Sequence, residues 1–251
     1  MSIDPILTQT EGYNVSKKYK PVPTQDVIEA FSKYGFELRS IEAAGTRNPE
    51  KAFKQKHMVI MSSDMRMIPG MKSEVVIYNS YDGSQSLRVY VGSFRFVCSN
   101  SMIVGNNLIK PLIVKHVGDS LEEKLNGFID EYEDLYYKQK EWIEHMQERK
   151  MTLDEAYYLA ERALNDRHYD KRIEIDVVDP LELLVAKRKE DRGDNAWLKY
   201  NIIQENIING YFHKYDAEGS IRKAKIITNV DEIVRLNVTL SDIFDETLEV
   251  V

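Results

Sequence analysis

The chain has 251 residues, of which 43% are hydrophobic and 30% charged, and its formal net charge is −7. This composition excludes a disordered chain, and the length favours one sizeable core, with or without a helical extension, over two large independent domains. No apolar run reaches the roughly 18–20 residues of a membrane-spanning helix, and the first residues lack the pattern of a secretion signal. The single cysteine excludes an intramolecular disulfide. We therefore expect a cytoplasmic protein without a membrane partner.

Charge is distributed unevenly along the chain. Residues 1–118 carry 15 Lys and Arg against 10 Asp and Glu, a net charge of +5, and residues 119–251 carry a net charge of −12. The basic half is suited to an anionic partner, whereas the acidic half would repel nucleic acid or attract a basic protein surface. The alternative is that the acidic half consists of helices with solvated Asp and Glu on their outer faces.

The N-terminal half is predicted to form an antiparallel sheet with one helix. Thr24 is suited to cap a helix that ends near Gly35. The segments that follow are rich in β-branched and aromatic residues and are separated by turn formers, which is typical of strands. The predicted strands span residues 36–44, 56–62, 74–79, 87–98 and 109–117.

In the fourth predicted strand, the apolar alternation changes phase at Gly92. Apolar residues alternate from Leu87 to Val91 and resume out of phase at Phe94. A glycine at such a point predicts a β-bulge, which would re-aim Arg95.

After Gly118 the apolar period becomes helical. Ser120 and Glu123 form a capping box, and apolar residues at alternating spacings of four and three continue to Met146, which predicts one helix of about 30 residues. Its broad, tyrosine-rich stripe predicts a homo-oligomer, unless other helices of the same chain cover it. Three further helices are predicted to open at Thr152, Pro180 and Asp194.

These patterns together predict the α+β class: a mainly antiparallel sheet with one helix in the N-terminal half, and a helical C-terminal half. The predicted division is a flexible basic arm over residues 1–23, an antiparallel sheet core over residues 24–118, and a helical region packed on that core over residues 119–251. We expect these parts to form one continuous domain.

Motifs that carry chemistry are scarce in this sequence. It has no glycine-rich phosphate cradle ending in Lys-Ser/Thr, no G-x-G-x-x-G after a predicted strand, and no His or Cys pair at metal-ligand spacing. The five histidines are scattered singly, and the acidic clusters at residues 130–134 and 242–246 are typical of solvated surface. We therefore predict no cofactor, no metal site and no catalytic residue, and favour a non-enzymatic protein over an enzyme.

Several motifs occur in a distinctive order. Asn79-Ser-Tyr-Asp-Gly-Ser84 precedes a strand with an arginine, and Phe94-Arg-Phe-Val-Cys-Ser-Asn100, His116-Val-Gly118 and a W-x-x-Y-N motif follow. Over roughly residues 24–213, this set resembles the domain-of-unknown-function 932 family of phage- and plasmid-like proteins. The residues that match the family's motifs are Asn79, Asp82, Gly83, Cys98, Asn100, His116, Trp197 and Asn201.

The residues in the first two motifs also have structural interpretations. Asn79, Asp82 and Gly83 are turn formers, because the polar side chains bond the local backbone and glycine permits a positive φ. Tyr81 stands where the family commonly has His, which argues against a required ligand or base at that position. Cys98 is expected to be a small buried apolar residue.

Two arginines and one helical pair leave alternatives open. Guanidinium groups on a sheet face need partners, so Arg88 and Arg95 either form a structural pair with Asp82 or bind a phosphate or an acidic ligand. Trp197 and Asn201 lie four residues apart on one helix face, which favours a packed indole with a hydrogen-bonding amide.

The resemblance implies an accessory gene product of a bacteriophage or plasmid, acting in the host cytoplasm, and implies no particular reaction. The first hypothesis is a non-enzymatic protein that binds single-stranded DNA during replication or recombination of the mobile element. The alternative is an inhibitor that binds a host defence or nucleoid protein through the acidic helical half. The DNA hypothesis assigns phosphate contacts to Lys17, Lys18, Lys20, Lys51, Lys54, Lys56, Arg88 and Arg95.

Overall fold

The computed structural model describes residues 4–64, 70–95, 101–103, 109–118, 121–168, 179–215 and 218–249. The protein belongs to the α+β class, as the sequence predicts. The chain divides into two compact units, one of residues 1–104 and 109–138, the other of residues 105–108 and 139–251. The division therefore falls inside a helix, about 20 residues beyond the boundary expected at Gly118.

The first unit is built on an antiparallel sheet of six strands. Its strands are β1 (Phe36–Ala43), β2 (His57–Ser63), β3 (Met71–Asn79), β4 (Leu87–Arg95), β5 (Ser101–Ile103) and β6 (Leu112–Val114), and helix α1 (Thr24–Ser32) precedes them. Strands β1 to β5 lie side by side in chain order, and β6 pairs with the other end of β4. The sequence did not predict the short β5, and the predicted fifth strand is reduced to the three residues of β6.

The β-bulge predicted at Gly92 is wrong. Strands β3 and β4 pair in one uniform register over residues 71–78 and 88–95. The apparent phase change arises because β4 is buried on both faces, as Tyr90 and Val91 show, so its sequence need not alternate strictly. The register shift lies instead in β1, between Leu38 and Ser40.

The residue at the register shift, Arg39, reaches a carboxylate in the middle of the sheet. One guanidinium nitrogen of Arg39 lies 2.5 Å from a carboxylate oxygen of Glu74, whose side chain is fully buried. A buried carboxylate is costly unless it is paired with a cation and hydrogen-bonded. The bulge in β1 therefore aims a counter-charge at Glu74.

Aromatic side chains form the core on one face of this sheet. Helices α2 (Leu121–Asp130) and α3 (Tyr132–Glu148) follow β6. Tyr132 packs edge-to-face on Phe31 and Phe36, with centroids 6.4 and 5.1 Å away, and its hydroxyl donates to the backbone oxygen of Glu74 at 3.1 Å. Each such aromatic pair contributes about 0.5–1.5 kcal/mol beyond the burial of its area.

The long helix predicted after Gly118 is present with one interruption. Glu131 separates α2 from α3, although its amide still donates to the Gly127 oxygen at 3.2 Å. Most of the stripe that suggested a homo-oligomer is buried within the chain: Leu125, Phe128, Tyr132, Trp142 and Met146 are at most 8% exposed, whereas Leu121 and Leu135 are half-buried. Helices of the same chain thus cover most of this stripe, and the homo-oligomer stays a prediction.

The second unit is mainly helical. Its elements after α3 are α4 (Leu153–His168), α5 (Ala196–Asn209), a two-stranded hairpin of β7 (His213–Tyr215) and β8 (Ile221–Lys223), and α6 (Val230–Glu249). Central to it, Tyr200 of α5 stacks parallel to Trp197 and packs edge-to-face on Trp142 and Phe244, with centroids 5.1–5.9 Å apart. Most of α5 is buried, including the polar side chains of Asn201, Gln204, Glu205 and Asn206.

Helix starts in the second unit follow the sequence in part. The capping box at Thr152 is confirmed, since Thr152 and Glu155 each bond the other's backbone amide. The helix predicted from Pro180 is a short 3-10 turn (Pro180–Leu184), and α5 is capped by Asn195 rather than by Asp194. The hairpin and α6 were not predicted.

Arg167 connects three segments of the second unit. It donates to the backbone oxygens of Ile207 and Lys225, the latter at 2.6 Å, and lies 4.8 Å from the Phe212 ring centroid. Because the guanidinium is buried, its pKa is lowered to about 10 and it remains charged at neutral pH. This arginine fixes the end of α5 against the segment that connects β8 to α6.

Among the helices that the structure describes, none combines the length and the apolar character that crossing a membrane requires.

Replacing Arg167 by Met should lower the free energy of unfolding by about 2–4 kcal/mol, because one buried and one partly buried carbonyl lose a donor. Arg162→Met is the matched control, since Arg162 of the same helix pairs with Glu246 at the surface, where an ion pair contributes about 0–1 kcal/mol. Urea denaturation of both variants measures the difference. Equal losses would contradict the role assigned to Arg167.

Candidate functional site

Residues 4–23 are held against the first unit. Ile6 and Leu7 are buried to 3% exposure within a 3-10 turn (Pro5–Leu7) that Asp4 caps. The amide of Tyr13 donates to the Tyr81 oxygen at 2.8 Å. The sequence predicts a flexible arm over residues 1–23, but these contacts hold residues 4–23 in place. The segment is polar overall, yet a few of its apolar side chains are buried.

A buried polar network joins this segment to β2 and β3. Thr24 Oγ1 lies 2.7 Å from His57 Nε2, 2.9 Å from the Tyr81 hydroxyl and 3.0 Å from Asn79 Nδ2. The Tyr81 hydroxyl also accepts from the Thr24 amide at 2.9 Å, and Asn79 donates to the backbone oxygen of Val22 at 2.9 Å. We call Thr24, His57, Asn79 and Tyr81 the Thr24 network; all four are fully buried.

The Thr24–His57 pair resembles a hydroxyl and its base in nucleophilic catalysis. His57 Nδ1 lies 3.1 Å from the backbone oxygen of Gln55, so Nδ1 carries the hydrogen and Nε2 accepts from Thr24. Burial lowers the His57 pKa to about 4, and neither side chain is exposed. A substrate cannot reach these atoms, so the network fastens the chain rather than performing chemistry.

The β3–β4 turn carries the second group of motif residues. Gly83 adopts a positive φ of 72°, which other residues rarely tolerate. Asp82 pairs with Lys51 at 2.7 Å and accepts from the amide and the hydroxyl of Ser84. Burial opposes the charge, but the bonds from Lys51 and Ser84 outweigh it and lower the Asp82 pKa to about 2. Asp82 therefore pairs with Lys51, whereas one of the two alternatives left open by the sequence paired it with Arg88 and Arg95.

His116 packs on the N-terminal segment. Its ring stacks on Tyr19, with centroids 4.7 Å apart, and its backbone oxygen accepts from the Lys20 amide at 2.8 Å. Tyr19 donates its hydroxyl hydrogen to the Ser80 oxygen at 3.0 Å. Burial lowers the pKa of His116, which keeps the ring neutral at pH 7. This histidine thus holds residues 19 and 20 in place.

Arg88 faces a tyrosine hydroxyl rather than a carboxylate. One guanidinium nitrogen lies 3.3 Å from the Tyr90 hydroxyl, and within the residues described it forms no ion pair. Arg95 ends β4 opposite Met71, and its side chain lies outside the described part, as do Cys98 and Asn100 entirely.

The six lysines assigned to DNA fall into two groups. Lys17, Lys18 and Lys20 are exposed, whereas Lys51, Lys54 and Lys56 are half-buried. Lys51 is occupied by Asp82, and the backbone oxygen of Lys54 accepts from the Tyr81 amide at 2.9 Å. The structure therefore does not bring the six lysines into one equivalent set, and the exposed group is the better phosphate ligand.

A cleft of about 550 Å³ lies beside Lys20, where the N-terminal segment, α1, β6 and α2 meet. Its charged lining consists of Lys20, Lys33 and Lys115 with Asp26, Glu29 and Glu122. Partial burial and repulsion from Glu29 raise the Asp26 pKa. Mixed charge makes this cleft a poor phosphate channel. No group of three or more His, Cys, Asp or Glu in the described residues is placed to hold a metal ion.

Comparison with known proteins identifies the family. Residues 13–235 match the family described as Domain of unknown function (DUF932). The chain belongs to the DUF932 family. It is similar to the UPF0380 proteins YfjQ and YafZ of Escherichia coli (strain K12), each 24% identical over 232 residues that cover 92% of this chain and 83% of the relative. No solved structure matches it significantly.

Two motif residues of this DUF932 protein lie in the second unit. Trp197 is buried and stacks on Tyr200, and Asn201 donates to the Trp197 backbone oxygen at 2.6 Å. These contacts stay within α5 and its core. The structure therefore has the packed indole and the hydrogen-bonding amide that the sequence favours for this motif.

Sequence reasoning missed three members of the Thr24 network. The sequence predicts a helix cap at Thr24, but the helix begins at Thr24 and its side chain turns to His57. His57 is a lone histidine in the sequence, and Tyr81 stands out only as a departure from the family. The one available signal was the β2–β3 register, which places His57 directly opposite Asn79.

Stability should fall as the pH drops from about 6.5 to 4. His57 and His116 have pKa values below that of an unfolded histidine, so the unfolded chain binds protons more tightly and gains stability on acidification. Over this window His57 contributes about 3 kcal/mol. Urea denaturation at several pH values measures the slope. His57→Gln should flatten it, whereas His145→Gln, at an exposed histidine, should leave it unchanged; equal slopes in all three proteins would contradict the role of His57.

Proposed function

We propose that this protein binds single-stranded DNA without catalysing a reaction on it, as an accessory protein in phage or plasmid replication or recombination. The placement of Lys17, Lys18 and Lys20 carries this proposal. All three are exposed, while contacts from Tyr13, Tyr19 and the Thr24 network fix the backbone around them. Ammonium groups on a fixed backbone neutralise phosphates without the cost of ordering a free arm.

The charge distribution favours a single strand over a duplex. Exposed carboxylates of α2 and α3 belong to the same unit as the three lysines. A flexible strand can follow the lysines and bend away from those carboxylates, whereas a rigid duplex extends past them. Contacts to phosphates carry no base information, so we expect little sequence preference.

Reversing Lys17, Lys18 and Lys20 to Glu should weaken binding to a labelled 20-nucleotide strand by at least about tenfold at low salt. Removing three phosphate contacts should also reduce the slope of log affinity against log salt by about two. Fluorescence anisotropy measures both quantities. The matched control reverses three other exposed lysines, Lys124, Lys138 and Lys189, and should bind like the wild type. Equal loss in both triple variants would contradict the assigned contacts.

A second candidate function rests on the acidic surface. Six exposed carboxylates of α2, α3 and the residue between them form no ion pair with any described residue: Glu122, Glu123, Asp130, Glu131, Glu133 and Asp134. Such a surface is suited to a basic host protein, such as a defence or nucleoid factor.

If the wild type retains no oligonucleotide of any form at low salt, the DNA proposal is wrong. Purification from infected cells, with and without nuclease, then tests the protein partner. The homo-oligomer stays a prediction.

A further inference from the structure

The β7–β8 hairpin of the second unit presents a mixed aromatic and cationic face. Across its two strands His213 pairs with Lys223, and Tyr215 with Ile221. Directly paired and alternate residues share a face of a hairpin, so these four side chains lie on one side. Ile221 is 62% exposed and Lys223 is also exposed, so this side meets solvent.

Tyr211, two residues before β7, lies on the same side. The ammonium nitrogens of Lys223 and Lys187 both lie over its ring, each 5.2 Å from the centroid. Tyr211 is 36% exposed. Neither lysine forms an ion pair with any residue that the structure describes. We call Tyr211, Lys187 and Lys223 the Tyr211 platform.

Among the described residues of this unit, no carboxylate forms an ion pair with either lysine of the platform. Because each ammonium is 5.2 Å from one centroid, the two nitrogens are within about 10 Å of each other, about the screening length at 0.1 M salt. An anion placed between them relieves their repulsion. The nearby Glu182 carboxylate is bonded to the His213 ring nitrogen at 2.9 Å and forms no ion pair with either lysine.

We infer that the Tyr211 platform is a nucleotide-binding element: a base of a single strand stacks on the tyrosine ring in place of the ammonium groups, and Lys187 and Lys223 move from the ring to the adjoining phosphates. This inference rests on the proposed DNA-binding function and assigns part of it to the otherwise acidic half. An aromatic ring with flanking cations is the arrangement by which proteins hold single strands without reading sequence. An acidic peptide would use the lysines alone, so the ring distinguishes the two ligands.

Tyr211→Ala should weaken binding of a labelled (dT)20 strand about 5- to 100-fold, the loss expected for one stacked base. Tyr211→Phe keeps the ring and should bind like the wild type. The matched control is Tyr158→Ala, because Tyr158 is an exposed tyrosine of the same unit beside Arg162, 5.8 Å from its ring, and should have no effect. Lys187→Gln with Lys223→Gln should reduce the salt slope by about 1.4.

Ultraviolet crosslinking with a 5-iodouracil strand gives a second readout that does not depend on affinity. The inference predicts a crosslink at Tyr211, located by mass spectrometry. If the wild type binds the strand, but Tyr211→Ala binds equally well or Tyr211→Phe loses as much as Tyr211→Ala, the inference is wrong and the DNA proposal stands. If the wild type binds no strand, both are wrong.

Discussion

The Thr24 hydroxyl is the point at which the N-terminal segment, β2, β3 and the β3–β4 turn are joined. It contacts His57, Asn79 and Tyr81, which come from three places in the sequence, and none of these side chains meets solvent. A buried hydroxyl without partners would cost about 1–3 kcal/mol, so the bonds constrain all three elements at once. The position of the exposed lysines depends on this constraint.

A second buried polar cluster constrains the strands of the sheet in the same way. Glu74 lies at the centre of β3, where the β1 bulge brings Arg39 to its carboxylate and Tyr132 bonds its backbone oxygen. Burial raises the pKa of Tyr132 well above its usual value, and the charge of Glu74 adds to that shift. Buried polar groups of this kind add little net stability, but they penalise any alternative register, since a shifted strand would leave the charge unpaired.

The sequence predicted regular elements well where residue composition, an apolar period or cap residues are visible in a short window. Helix α1, strands β1 to β4 and the Thr152 capping box follow from local pattern, because the period and the cap residues are visible in a short window. The sequence wrongly predicted a β-bulge at Gly92, in a strand that is buried on both faces. It also missed short elements such as β5 and the hairpin, which have no recognisable period. The candidate site was least accessible, since Thr24, His57 and Tyr81 meet only through pairing of distant segments, and no local pattern reports such a meeting.

The attachment of the N-terminal segment is tested most directly by hydrogen exchange. In the wild type, the amides of Tyr13 and Lys20 donate to the backbone oxygens of Tyr81 and His116. Peptides spanning residues 13–24 should therefore exchange slowly. Tyr81→Phe removes the hydroxyl that the Thr24 amide and side chain contact, and should make these peptides exchange at least about tenfold faster, with peptides of β2 unchanged. If residues 13–24 of the wild type exchanged as fast as an unfolded chain, the segment would not be held on the sheet, and the fixed placement of Lys17, Lys18 and Lys20 would be contradicted.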